Sequence, residues 1–123
     1  MLDHVTIGVT DVGRSMSFYD RALKSLGIER LYGDGGTFAG YGIGRKAFFW
    51  IGRRDQVTTG AHIAFTAVDR AAVDAFHVFA LAAGGRENGP PGLRPQYHAH
   101  YYVAFILDPD GHNIEAVCHQ PPG

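Results

Sequence analysis

The chain has 123 residues, 46% of them hydrophobic and 19% charged, a composition that excludes disordered and fibrous classes and leaves one globular domain, 1–123. Eleven Lys and Arg against twelve Asp and Glu give a net charge of −1, without the basic face that nucleic acid or an anionic membrane needs. No apolar run is long enough for a membrane span, no basic-then-apolar signal opens the chain, and the single Cys118 allows no internal disulfide; a reducing cytoplasmic location is expected.

The first strand is read from His4 to Val9, where Val5, Ile7 and Val9 alternate with His4, Thr6 and Gly8. Asp11 stands at the N-cap of a helix carrying Met16, Tyr19, Leu23 and Leu26 at helical spacing and closed by Gly27. Residues 36–42 and 46–52 are strand-like. A shift of 58 residues then lays the chain on itself without a gap for about 26 positions: His4 falls on His62, Asp11 on Asp69, Phe18 on Phe76 and Gly27 on Gly85. The second unit follows the first, with Ile63 and Phe65 on one face and His62 on the other. A helix bearing Val73, Phe76, Phe79, Ala80 and Ala83 ends at Gly84-Gly85. Residues 88–95, with three prolines, read as a rigid loop. Residues 98–107 and 112–119 read as strands joined by an Asp108-Pro-Asp-Gly111 turn. The expected fold is α+β, with module 1 over about 1–57 and module 2 over about 58–119.

Strand parity directs the site. Val5, Ile7, Ile63 and Phe65 bury against helices, so His4 and His62 face the other, open side of the sheet. An isolated histidine at a strand start is ordinarily a surface residue; two at repeat-related positions point to a pair that approaches about a pseudo-twofold axis. Imidazole is the commonest metal ligand, and Glu115 in the final strand offers a carboxylate beside it. Two histidines and one carboxylate suit a divalent metal: iron, zinc, nickel or manganese.

These residues resemble the vicinal-oxygen-chelate superfamily, which includes glyoxalase I, bleomycin-resistance proteins, fosfomycin-resistance enzymes and extradiol dioxygenases. The resemblance is carried by Asp3-His4-Val5, Ser17-Phe18-Tyr19, Ala61-His62-Ile63-Ala64-Phe65 and Asp108-Pro-Asp-Gly-His-Asn-Ile-Glu115. It implies two repeated βαβββ modules forming a cupped, incomplete mixed β-barrel with helices outside. It also implies metal ligands at His4, His62 and Glu115, and a homodimer whose sites are shared between subunits. Two departures and one match relate the chain to individual subfamilies. Trp50 stands where glyoxalase I carries a fourth ligand, Phe105 where extradiol dioxygenases carry a tyrosine, and Thr6 matches a threonine of fosfomycin-type enzymes.

Phe48, Trp50 and Phe105 are expected to line an aromatic cup, with Phe38, Tyr41 and the 97–102 cluster either adding to it or serving as core. Such a cup favours a flat apolar or aromatic small-molecule substrate. Arg94 is a candidate partner for a substrate carboxylate. His98, His100 and Tyr101 are candidate proton-transfer groups, Tyr101 having the parity of Phe105. Cys118, opposite in parity to Glu115, is expected as a buried thiol. The resulting expectation is a metal-dependent enzyme of lyase, isomerase or ring-cleaving type. The alternative is a metal-free protein of bleomycin-resistance type that sequesters a planar drug.

Overall fold

A computed structural model describes residues 1–122. Module 1 runs β1 (Val5–Gly8), α1 (Val12–Ala22), a 3₁₀ turn (Lys24–Leu26), β2 (Glu29–Gly33), β3 (Phe38–Ile43) and β4 (Lys46–Gly52). Module 2 repeats it as β5 (His62–Thr66), α2 (Arg70–Ala82), β6 (Arg86–Leu93), β7 (Tyr102–Leu107) and β8 (Asn113–Cys118). Both helices start as expected: the Asp11 carboxylate accepts the amide of Arg14 at 3.0 Å and Asp69 that of Ala72 at 2.8 Å, satisfying donors that have no partner inside a helix.

The strands form two four-stranded mixed sheets, ordered β1-β4-β3-β2 and β5-β8-β7-β6, neither closed into a barrel. In each, the first strand runs parallel to the last, and the remaining pairs are antiparallel. That pairing sets Ala64 opposite Glu115 and His62 opposite Asn113, so residues 53 apart in sequence share one face. Ile7, Phe49, Phe65, Ile106 and Ile114 are buried on the helix side. Phe49 and Phe65 meet edge to face at 5.4 Å, joining the two modules; each buried aromatic of this kind stabilises by about 1.5–3 kcal/mol. The Tyr19 hydroxyl, wholly buried on α1, donates to the Asp108 carboxylate, whose other oxygen accepts the amides of Asp110 and His112, both at 2.9 Å. The expected 108–111 turn is thereby tied to the first helix.

Three expectations are corrected. Residues 86–93 are a strand rather than a loop: β6 lies at a sheet edge, where Pro90 and Pro91 need not donate to a neighbour, and its register shifts on either side of Gly89. β7 begins at Tyr102 because His98–Tyr101 closes into a turn, with the Tyr101 amide on the His98 carbonyl at 3.2 Å. Phe48 and Trp50 do not share a face: the β3–β4 register shifts at Tyr41/Gly42, so Ala47, not Phe48, sits beside His4 and Trp50. Of the two roles left open for Tyr41, the structure gives it the core one, its hydroxyl bonded to Asp20 at 2.9 Å beneath α1.

Candidate functional site

On the concave face of module 2, His62 Nε2 lies 2.5 Å from Glu115 Oε2. Glu115 is buried, with 3% of its side chain exposed, while 56% of His62 is open to the cup. The second Glu115 oxygen accepts the Tyr101 hydroxyl at 2.8 Å. Burial first, and then this bond, push the Tyr101 phenol up to about 12. It is therefore held protonated at neutral pH, a hydrogen-bond donor and acid rather than a base. Phe105 pairs with Glu115 across β7 and β8, and its ring lies 6.4 Å from that of His62. Arg94 covers Phe105 at 5.7 Å, with two donors committed to the carbonyls of Pro90 and Leu93 at 3.0 and 3.4 Å.

His98 and His100 stand outside this group. The His98 ring packs edge-on against His119 at 5.7 Å, and His119 against Tyr101 at 5.2 Å. His98 Nδ1 is occupied by the His100 amide at 3.1 Å. Of the three candidate proton-transfer groups, Tyr101 alone touches Glu115.

His4 stands apart on module 1. Its Nδ1 lies 2.7 Å from the Asp3 carboxylate, which also takes the Lys46 ammonium at 2.6 Å. A carboxylate only accepts, so Nδ1 carries the proton and Nε2 keeps its lone pair for a ligand. Sequence reasoning missed Asp3 as a functional group; its place directly before a strand-start histidine was the available signal. Lys46 first, then His4, hold Asp3 below the usual carboxylate range. His4 and Thr6 open onto a cleft of about 540 Å³ with Phe38, Trp50, Arg53 and Arg54. Thr6 and Trp50 face each other across β1 and β4, as parity requires. Gly40 leaves the space that Trp50 fills: a Cβ there would stand 2.6 Å from the indole ring.

The expected approach of His4 to His62 does not occur within one chain. Among the described residues no three His, Cys, Asp or Glu side chains lie close enough to share a metal ion. The donor set nevertheless supplies two of the three ligands of such a centre: His62 and Glu115 already face each other at hydrogen-bonding distance, and a metal would take the place of the proton they share. Phe48 faces a different cleft, of about 340 Å³, with Leu2, Ile43 and Ile63 at the edge between β1 and β5. Cys118 is buried on the opposite face of β8, as expected.

Residues 1–116 match the Glyoxalase/Bleomycin resistance protein/Dioxygenase superfamily. The chain is similar to the crystal structure of a glyoxalase/bleomycin resistance protein from Albidiferax ferrireducens: 32% identity, TM-score 0.81, covering 97% of this chain and 98% of that one. It shares its fold with a lactoylglutathione lyase from Agrobacterium tumefaciens, at 18% identity and TM-score 0.67, over 96% of this chain and 92% of that one. A fosfomycin resistance protein from Listeria monocytogenes, crystallised with Mn(II) and a dihydroxypropylphosphonic acid, has the same fold at 24% identity and TM-score 0.69, over 95% and 88%. No curated protein matches significantly. No helix among the described residues is long and apolar enough to cross a membrane. A match over nearly the whole sequence, on two βαβββ modules, decides the classification: the chain belongs to the glyoxalase/bleomycin resistance protein/dioxygenase superfamily.

Proposed function

We propose that the chain is a metal-dependent small-molecule enzyme whose site is completed by a second copy of itself. The observation that carries this is the His62–Glu115 pair, an imidazole and a buried carboxylate in direct contact on the concave face, with Tyr101 donating to the far oxygen. His62 and Glu115 of one copy and His4 of another would hold a divalent ion of zinc, iron, nickel or manganese. Bound there, the ion supplies a Lewis acid for two adjacent substrate oxygens. Tyr101 offers the proton or hydrogen bond that a developing oxyanion needs. Thr6 and Trp50 of the His4 cleft, together with Phe105 and Arg94, bind and orient the substrate and exclude water. Lyase, isomerase and ring-cleaving reactions are the classes of chemistry open to a substrate held in this way.

Two features support the homodimer. His4 keeps a free Nε2 in a cleft that its own chain does not complete. Beside it, Leu2, Ile43 and Phe48 present apolar surface at the β1–β5 edge, with Leu2 79% and Ile43 57% exposed. A reducing cytoplasmic setting fits a chain with one buried thiol.

The test is metal content. Wild type is expected to carry stoichiometric metal by plasma mass spectrometry, and His4→Ala and His62→Ala are each expected to lose it. Co-expressed, the two variants assemble one intact site of the two in each mixed dimer, so the purified mixed dimer regains half of the wild-type metal and the unfractionated mixture about a quarter. Full metal retention in His62→Ala overturns the site. Loss in both variants without recovery on mixing overturns its sharing between copies. Tight binding of a planar drug by wild type in the presence of a chelator, with no metal taken up from excess ions, would establish the sequestering protein instead.

A further inference from the structure

We propose that the ligand of this site is a planar aromatic anion, by chemical class an aromatic carboxylate, with its ring on Trp50 and its charge on Arg54. The inference rests on the reading above only for where the ligand sits, and it moves the candidate partner of a substrate carboxylate from Arg94 to Arg54.

The wall for the ring is flat and already stacked. The Trp50 indole lies 5.6 Å from Tyr32 with 15° between the planes, and Phe38 tilts toward it at 6.3 Å. Arg54 lines the same cleft, placed there by the backbone. The Gly8 amide donates to Thr58 Oγ1 at 2.8 Å, and the Thr58 amide returns to the Gly8 carbonyl at 3.0 Å, so the chain after β4 folds back across β1. Only glycine permits this crossing. A Cβ at position 8 would stand 2.7 Å from the Gln56 carbonyl and 3.0 Å from the Arg54 stem. The Arg54 Nε is thereby brought within 3.8 Å of where a side chain at Gly52, next to Thr6 and Trp50 in the cleft, would begin.

The charges in the cleft are committed unequally. Lys46 is paired with Asp3 at 2.6 Å, and Arg94, across on module 2, bonds backbone carbonyls. Arg53 and Arg54 make no ion pair among the described residues, not even with the adjoining Asp55. An uncommitted guanidinium fork beside an aromatic platform selects a carboxylate, which it can hold by two parallel hydrogen bonds. A cationic ring would meet Arg53 and Arg54 with no carboxylate between them, and a neutral sugar would leave their charge without a partner.

Trp50 is the sole tryptophan, so its fluorescence reports binding directly. Wild type and Arg54→Gln would be titrated with 4-nitrobenzoate and with its neutral isostere 4-nitrobenzamide, in excess chelator. The benzoate is expected to quench saturably and to bind roughly tenfold more tightly than the amide. Arg54→Gln is expected to bring the acid down to the level of the amide and to leave the amide unchanged. Equal affinities of acid and amide in wild type, unaltered acid binding in Arg54→Gln, or no saturable quenching would each overturn the proposal. The chelator makes the readout independent of metal, so failure here is separate from failure of the metal-content test.

Discussion

One Glu115 oxygen meets His62 Nε2 at 2.5 Å while the other accepts the Tyr101 hydroxyl at 2.8 Å, so a single buried carboxylate holds two site groups in place. The two neighbours differ in kind, since imidazole can ligate a metal and a neutral phenol serves as donor. Glu115→Ala is expected to abolish stoichiometric metal binding, whereas Tyr101→Phe keeps it. Plasma mass spectrometry on the two purified variants checks this, and equal loss in both would make Tyr101 a ligand.

Asp3 acts on His4 through Nδ1 and also holds Lys46, without lining the cleft itself. Its replacement by Ala frees the imidazole to rotate and to change tautomer. Metal affinity is expected to fall by about 10–100-fold, the usual consequence of losing a carboxylate behind a ligating histidine. Because Asp3 is exposed, the thermal midpoint should not move. Competition against a chromophoric chelator measures the affinity.

The Tyr19–Asp108 bond holds α1 to the β7–β8 turn at a wholly buried position. Tyr19→Phe leaves the carboxylate short of one donor and is expected to destabilise by about 1–3 kcal/mol. Asp108→Ala also strands the amides of Asp110 and His112 and is expected to cost more. Urea midpoints at constant slope would give the order; a larger loss for Tyr19→Phe would contradict it.

Alkaline pH should weaken the fold. Tyr19 is held above its ordinary value near 10 by burial and by the Asp108 charge, and Tyr41 by burial and its bond to Asp20. Both phenols ionise near 10 when unfolded but stay protonated in the fold. Their stabilisation is thus fully present below that value and is lost as pH rises above it. Urea midpoints compared at about pH 8 and about pH 10.5 should fall, and fall less in Tyr41→Phe.

Gly40→Ala places a methyl group 2.6 Å from the Trp50 ring. The indole must leave its stacking on Tyr32, and overpacking of this kind costs about 1–3 kcal/mol. A shifted emission maximum for the single tryptophan is the expected signature.

Much of this arrangement is legible in the amino-acid sequence. The 58-residue self-match anticipated two equivalent modules, because an N-cap aspartate, an amphipathic helix and an alternating strand are local signals. Parity put His62 on the face away from the helices, and the parallel β5–β8 register brings Glu115 to that face as its neighbour. Phe48 was misplaced because a bulge shifts parity by one residue, and a bulge depends on the partner strand rather than on the strand's own sequence. β6 was hidden because its prolines forbid a central strand but not an edge, and edge position is a property of the sheet.

By itself, then, the amino-acid order determined what short-range physics can encode: the repeat, the helix starts, the turn at 108–111 and the identity of the three candidate ligands. Only the tertiary structure decided that His4 stands in a cleft of its own, away from His62 and Glu115. It also decided that Tyr101 rather than His98 or His100 reaches the carboxylate, and that Arg54 lies over the cup. Each of these depends on how the chain turns at a hairpin, a bulge or a strand crossing, where a difference of one residue moves a side chain to the opposite face.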